Sequence, residues 1–408
     1  MNNRYNRAAV IVGLLILAGC ARSVQPTGFS ASDEALYQAR FLKQQQAAIT
    51  GGGIGNYEPL EEFGGAGNPV HLPTTPTPSI SDTALSKAVE YVRPRNTSAL
   101  IVWRDGVIEK EAYFGDFDRD TLINAKSLAK PLASIAIGRA IALGYIDSLD
   151  QPAADFIKEW ADDSQRKKIT LRHLLGMRGG LLPQALSRLG PEHVLNRAYL
   201  HPRHDEVIIN EYPVTNEPGT RYEYANASAE LIAPIIERAT GQRYLPFLTE
   251  TLLRPLGAAG GTGWVNRIGG TAHAGCCIQL TAQTWLRLAI LLIGDGVWEG
   301  TRLLPKDYVQ QMQQTSAQNP HAGLGVWVAG DYVEWRGSLH PSIDLGRTYH
   351  SEPYLAQDLF LFDGNGNQVV YILPTQGIII LRTGGFTSPE YPWDNSFLPN
   401  LILRNLIN

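Results

Sequence analysis

Asn124-Ala125-Lys126-Ser127-Leu128-Ala129-Lys130 runs into Pro131 and an apolar stretch that ends near Leu143. Proline is tolerated in the first turn of a helix, where its missing N–H has no partner to lose, so Pro131 places the helix start at about Ser127. Residues three apart share one helix face, which brings the Lys130 side chain up to the Ser127 hydroxyl. That hydroxyl sits at the positive end of the helix dipole, where a developing alkoxide is favoured. A serine at a helix start is ordinarily a cap. With a lysine one turn on, it becomes a candidate nucleophile beside a proton acceptor. The four-residue spacing recurs at Ser164-Gln165-Arg166-Lys167, but inside the charge run Asp162 to Lys168, where no cavity can be built. Ser164 therefore reads as surface.

Far downstream lies Tyr224-Ala225-Asn226, the only Tyr-x-Asn of the chain, within Glu217-Pro218-Gly219-Thr220-Arg221-Tyr222-Glu223-Tyr224-Ala225-Asn226-Ala227-Ser228. Alone it would be a tyrosine packed under a loop and a turn asparagine. Paired with a Ser-x-x-Lys at the head of an apolar helix, and itself followed by another apolar helix, it takes on a different weight.

On these two motifs the sequence resembles the serine β-lactamase and penicillin-binding superfamily, in its class C, DD-peptidase and esterase branch with the 6-aminohexanoate-dimer hydrolase-like members. The likeness runs from about Tyr57 to the C-terminus and includes Ile169-Thr170-Leu171-Arg172-His173-Leu174-Leu175, Arg254-Pro255-Leu256-Gly257 and Thr281-Ala282-Gln283-Thr284-Trp285-Leu286-Arg287. It implies an α/β (α+β) fold of the β-lactamase/transpeptidase type. It also implies Ser127 as nucleophile, Lys130 and Tyr224 as proton carriers, and Asn226 orienting the substrate amide or Lys130. In such a site Ser127 attacks the carbonyl, Tyr224 relays the proton to the leaving group, and water hydrolyses the acyl-enzyme. A lysine acts as base only where its surroundings lower its proton affinity, and Lys130 is the first candidate.

The third motif of that branch is altered. Lactamases and DD-peptidases carry Lys-Thr-Gly on an inner strand to hold a substrate carboxylate; the matching stretch here is Phe362-Asp363-Gly364-Asn365-Gly366-Asn367-Gln368. Phe362 stands where the lysine would be, which lowers the fit to an anionic β-lactam or D-Ala-D-Ala end. The Gly-x-Gly-x-Gln form is closer to the 6-aminohexanoate-dimer hydrolase-like group. Gly364 lets the strand approach a substrate closely, and the N–H groups of Asn365 and Ser127 are expected to form an oxyanion hole. The expected substrate is a small-molecule amide or ester. The alternatives are a β-lactamase or DD-peptidase acting on cell-wall-like substrates, or a non-catalytic module that keeps the pocket to bind. His173 reads as a core histidine and Arg382 as a strand-end cation near a carboxylate, a salt-bridge partner or solvent. Trp327 and Trp335 are given no role.

Outward from the motifs, Ser98 to Trp103 and Val107 to Tyr113 flank Arg104-Asp105-Gly106, which predicts a hairpin. Ala84, Ala88, Val89 and Val92 have helical spacing, so the hydrolase domain is expected from Thr83 to the C-terminus. Helical patterns fill about 127 to 296. Strand signals return at Gly323 to Val328, Leu359 to Phe362, Val369 to Leu373 and Gly377 to Arg382, with a closing helix from about Trp393. Strands at both ends with helices between predict one antiparallel sheet assembled from the two termini, flanked by helices, with an inserted helical lobe.

Residues 20 to 82 read as a tether: a short helix near Asp33 to Ala48, then glycine pairs and a Pro/Thr run. Before it, Arg4 and Arg7 precede the apolar run Ala8 to Leu17 and then Ala18-Gly19-Cys20. Residues 1 to 19 thus form a signal peptide. Leu17-Ala18-Gly19-Cys20 resembles a bacterial lipobox, which implies acylation of Cys20, a lipid anchor in the membrane and, from Ala21, sorting to the outer membrane facing the periplasm. With 35 basic against 39 acidic residues among 408, no nucleic-acid partner is expected. Adjacent cysteines close a disulfide only through a strained ring, so Cys276 and Cys277 are expected as free thiols. No Cys/His cluster has metal spacing, so no metal and no cofactor is expected.

Overall fold

The computed structural model describes residues 28–49, 57–184 and 189–407. Its centre is a six-stranded antiparallel sheet in the order Val107–Tyr113, Thr97–Arg104, Ile378–Gly384, Gln368–Leu373, Phe360–Gly364, Trp327–Val328. Strands from both ends of the chain therefore interleave, as the motif order predicts. The predicted hairpin closes through Asp105 and Gly106, whose φ values of 44° and 101° suit the two-residue turn that matches strand twist.

Both faces of this sheet are covered, which is why its strands are apolar runs rather than alternating ones. Ala99, Ile101, Phe360, Phe362, Ile379 and Leu381 pack on one face against helices Ala129–Ala142 and Ala282–Ile293. Leu100, Val102, Leu361, Tyr371 and Ile380 pack on the other against helices Asp82–Val92 and Phe397–Leu403. Between strands Val107–Tyr113 and Trp327–Val328 the chain is mainly helical. Of the predicted strand Gly323 to Val328 only the last two residues pair, because Gly325 turns the backbone at φ +75°.

The stretch read as a tether is partly built into the body. Leu60–Phe63 pairs with Gly261–Trp264 at the edge of a second sheet that continues through Ile278–Leu280 to Ile123–Asn124. Helix Ala31–Ile49 forms where a helix was expected, but it is docked: Tyr37 and Phe41 pack with Tyr57, Leu200 and Trp264. Arg197 grips Glu34 in two hydrogen bonds of 3.0 and 2.8 Å. A few apolar side chains suffice because they complete a surface the body already offers rather than nucleate a core of their own. The lipobox and Cys20 lie outside the described residues. No helix among the described residues is long and apolar enough to cross a membrane.

Cys276 and Cys277 are joined in a disulfide, which corrects the expectation of free thiols. The backbone makes the bond reachable. Ile278 donates its N–H to the Cys276 carbonyl across a three-residue turn, and Cys277 takes φ +42°.

Candidate active site

The short strand Ile123–Asn124 delivers the chain to the nucleophile candidate. Lys126 adopts φ +51°, an uncommon left-handed conformation for a side-chain-bearing residue, and the Asn124 side chain receives its N–H at 3.1 Å. Ser127 follows in a 3₁₀ turn, Lys126–Leu128, that feeds helix Ala129–Ala142. The helix thus starts where Pro131 placed it. Gln368 donates to the Asn124 and Ala125 carbonyls at 2.8 and 3.3 Å and ties this turn to the sheet.

Lys130 is buried, and its ammonium donates to the Gly275 carbonyl at 2.8 Å and to Ser127 Oγ at 3.1 Å. Tyr224 approaches Ser127 from the other side: the two hydroxyls are 2.8 Å apart, and Lys130 Nζ lies 4.9 Å from the centre of the tyrosine ring. Tyr224 is held by its backbone, donating its N–H to Leu339 and accepting from the Gln184 N–H at 3.1 and 2.7 Å. The hydroxyl, the amine and the phenol therefore converge, with Ser127 and Tyr224 half-buried above a buried ammonium.

Asn226 stands at the start of helix Asn226–Glu230 and donates to the Gln184 side chain at 3.1 Å. Of the two roles anticipated for it, orienting Lys130 is not seen. Gly364 ends its strand directly against the nucleophile turn: a Cβ there would stand 3.0 Å from the Ala125 carbonyl and 3.1 Å from the Leu128 nitrogen. Asn365 opens the tight turn that joins Gly364 to its strand partner Gln368. Phe362 is wholly buried in the core, and next to it Asp363 is paired with Arg336. Burial pushes the Asp363 carboxyl up even against that guanidinium.

Arg382 meets neither solvent nor a carboxylate. It is fully buried and donates to the carbonyls of Gly366 and Asn367 at 2.7 and 2.9 Å, and on its other side to Thr97 Oγ1 and the Asn96 carbonyl. Burial draws its pKa down to about 10. His173 is a cap, accepting the Thr170 N–H while Thr170 accepts its own. Trp327 lies in the core under the Arg336 guanidinium, whereas Trp335 is half exposed. Ser164 is exposed. Sequence reading missed Gly275 and Gln184. Gly275 acts through its backbone carbonyl, which no motif records; Gln184 meets Tyr224 through its N–H and Asn226 through its side chain, and no recognised motif includes it.

The sheet, the helix that begins at the nucleophile and the tyrosine facing it define the β-lactamase/transpeptidase-like fold class. The chain belongs to the Beta-lactamase family, whose profile matches residues 90–383. It is 26% identical over 148 residues to esterase EstB of Burkholderia gladioli, covering 34% of this chain and 37% of that one. It is 25% identical over 233 residues to the 6-aminohexanoate-dimer hydrolase of Paenarthrobacter ureafaciens, covering 53% and 57%. The chain thus matches less than two thirds of the length of either curated relative. A Bacillus anthracis structure, provisionally named a 6-aminohexanoate-dimer hydrolase, superposes with a TM-score of 0.64 at 18% identity over 90% of this chain and 92% of that one.

Proposed function

We propose that the protein is a serine hydrolase that cleaves a small amide or ester through an acyl-enzyme, in the manner of the 6-aminohexanoate-dimer hydrolase and esterase members it resembles. The observation that carries this is the meeting of Ser127, Lys130 and Tyr224 within hydrogen-bond reach. Ser127 Oγ forms the bond to the carbonyl carbon as its proton passes to whichever of Lys130 and Tyr224 acts in its unprotonated form, amine or phenolate. Lys130 has one N–H committed to Gly275, which leaves the rest of its amine facing the serine. Tyr224 returns a proton to the departing amine or alkoxide as that bond breaks. Water then adds to the acyl carbon, and Ser127 leaves with its proton restored. The N–H groups of Ser127 and Asn365 stabilise the oxyanion at each stage, and Gly364 lets the strand come close enough for this.

An uncharged substrate fits better than an anionic one. The position of the missing lysine is a buried phenylalanine, and the neighbouring Arg336 is already occupied by Asp363. A cavity of about 110 Å³ beside Asn226, lined by Gln184, Leu189, Leu195, Tyr199 and Tyr212 among others, offers amides and apolar walls to one arm of the substrate. Wild-type protein is expected to label with a fluorophosphonate probe and Ser127→Ala to lose that labelling. Equal labelling of both would remove Ser127 from its role, and no labelling of a folded wild type would favour a binding module. Turnover is expected on p-nitrophenyl esters or linear amides; a chromogenic cephalosporin as the preferred substrate would favour the β-lactamase alternative.

The same proposal places the enzyme on a bacterial membrane through an acylated Cys20. The support is the sequence Leu17-Ala18-Gly19-Cys20 after an apolar run. Radiolabelled palmitate is expected to enter the wild type but not Cys20→Ala, which should leave the membrane fraction; label in both would end this reading.

A further inference from the structure

Behind the Gly275 carbonyl that receives Lys130 lie three side chains with no part in the chemistry above: His204, Glu230 and His273. They are distant in sequence, so no spacing betrays them, yet they are 0, 2 and 0% exposed, and their donor atoms lie within 4.8 Å of one another. Glu230 Oε2 is 3.4 Å from His273 Nδ1 and 3.7 Å from His204 Nε2. These separations exceed an N–H···O hydrogen bond of about 2.7–3.2 Å. They are close to the spacing of donors around a tetrahedral ion whose metal–ligand bonds are about 2.0–2.2 Å long.

We propose that His204, Glu230 and His273 form a buried divalent-metal site, with zinc as the ion the His₂Glu donor set suits best. None of these three atoms has a hydrogen-bond partner in the structure, nor do the second ring nitrogens of both histidines. Buried polar atoms left unpaired are costly and uncommon, so such a concentration calls for a ligand. Charge points the same way: a carboxylate buried with no hydrogen-bond partner at Oε2 is short of a positive charge.

The two imidazoles are stacked, 3.9 Å between centroids and 17° between planes, and the indole of Trp264 stacks on the outer face of His273. Trp264 fixes His273. Loading an ion turns the His204 ring about its Cβ–Cγ bond, a broad and soft torsion, until its lone pair converges with that of His273. Glu230 also lines the cavity beside Asn226, which gives an ion a way in. A Cβ on Gly275 would stand 2.9 Å from Glu230 Oε1, so the carboxylate braces the segment whose carbonyl receives Lys130. An ion held here would clamp that segment from behind. The assignment does not depend on the hydrolase reading.

The test uses the full chain, stripped with chelator and returned to zinc ions. The expected result is about one zinc per chain by elemental analysis and a melting temperature several degrees higher with zinc than without. Cobalt in its place should give the intense visible bands of a tetrahedral site. His204→Gln, which keeps a side chain of similar reach, should lose more than about tenfold in zinc affinity while retaining the wild-type circular dichroism. Should that variant fail to fold, Glu230→Gln and the wild-type cobalt spectrum carry the decision. Less than a tenth of an equivalent bound with an unmoved melting temperature would overturn the proposal, as would full binding by the variants.

Discussion

At the scale of single residues, Tyr224 faces Ser127 Oγ at 2.8 Å and its ring lies 4.9 Å from Lys130 Nζ, the placement behind its proposed role of passing a proton between nucleophile and leaving group. Tyr224→Phe removes that hydroxyl while the ring and its backbone bonds remain. It is expected to lower kcat by about 10²–10⁴-fold, the range for a positioned acid–base group, with little change in melting temperature. Steady-state kinetics beside a thermal melt would check this; unchanged kcat would confine Tyr224 to packing. The candidate residues 127, 130, 224 and 364 were legible because helix spacing and known motifs name side chains, or the lack of one. Gly275 was not, because its contribution is a peptide carbonyl, and a sequence is silent about where carbonyls point. Arg382 was readable as a cation but not as a clasp on five backbone carbonyls and a threonine.

At the scale of elements, the hairpin around Asp105-Gly106, helix Asp82–Val92 and the three late strands follow from turn chemistry and apolar runs. Helix Ala31–Ile49 was foreseen as a helix and missed as a component. Docking depends on a receptive surface made by Leu200 and Trp264, far away in sequence. Deleting residues 28–49 uncovers that surface, removes Tyr37 and Phe41 from burial and frees Arg197 from Glu34. At about 1.5–3 kcal/mol for each large apolar side chain, the loss is on the order of 4 kcal/mol. A melting temperature several degrees lower is expected for the truncated chain, and an unchanged one would return this helix to the status of a tether.

At the scale of the whole molecule, stability is expected to depend on pH through histidines buried in the neutral state. Burial, with the Arg336 charge, holds His350 down at about 3, although Asp394 pulls it upward. Burial and Arg197 hold His201 at about 4 against Glu34 and Asp33. An unfolded histidine titrates near 6.5, so between that pH and these lower values the unfolded chain binds more protons than the folded one. The stabilisation is complete above about pH 6.5 and is lost as the pH falls towards 4 and below, at about 1.4 kcal/mol per unit for each ring. Thermal melts should be level above pH 7 and drop steeply from pH 6.5 to 4; a level profile down to pH 4 would show that these rings are hydrated or charged.

The backbone anchoring of Tyr224 has a consequence for how this scaffold can vary. The Leu339 carbonyl grips the peptide of Tyr224, so any residue that keeps the same local trace can replace Leu339 without disturbing the phenol. Main-chain fixation uncouples the reactive constellation from its neighbours' identities. It leaves the rim of the cleft free to be rewritten for new substrates while the machinery beneath it stays in register.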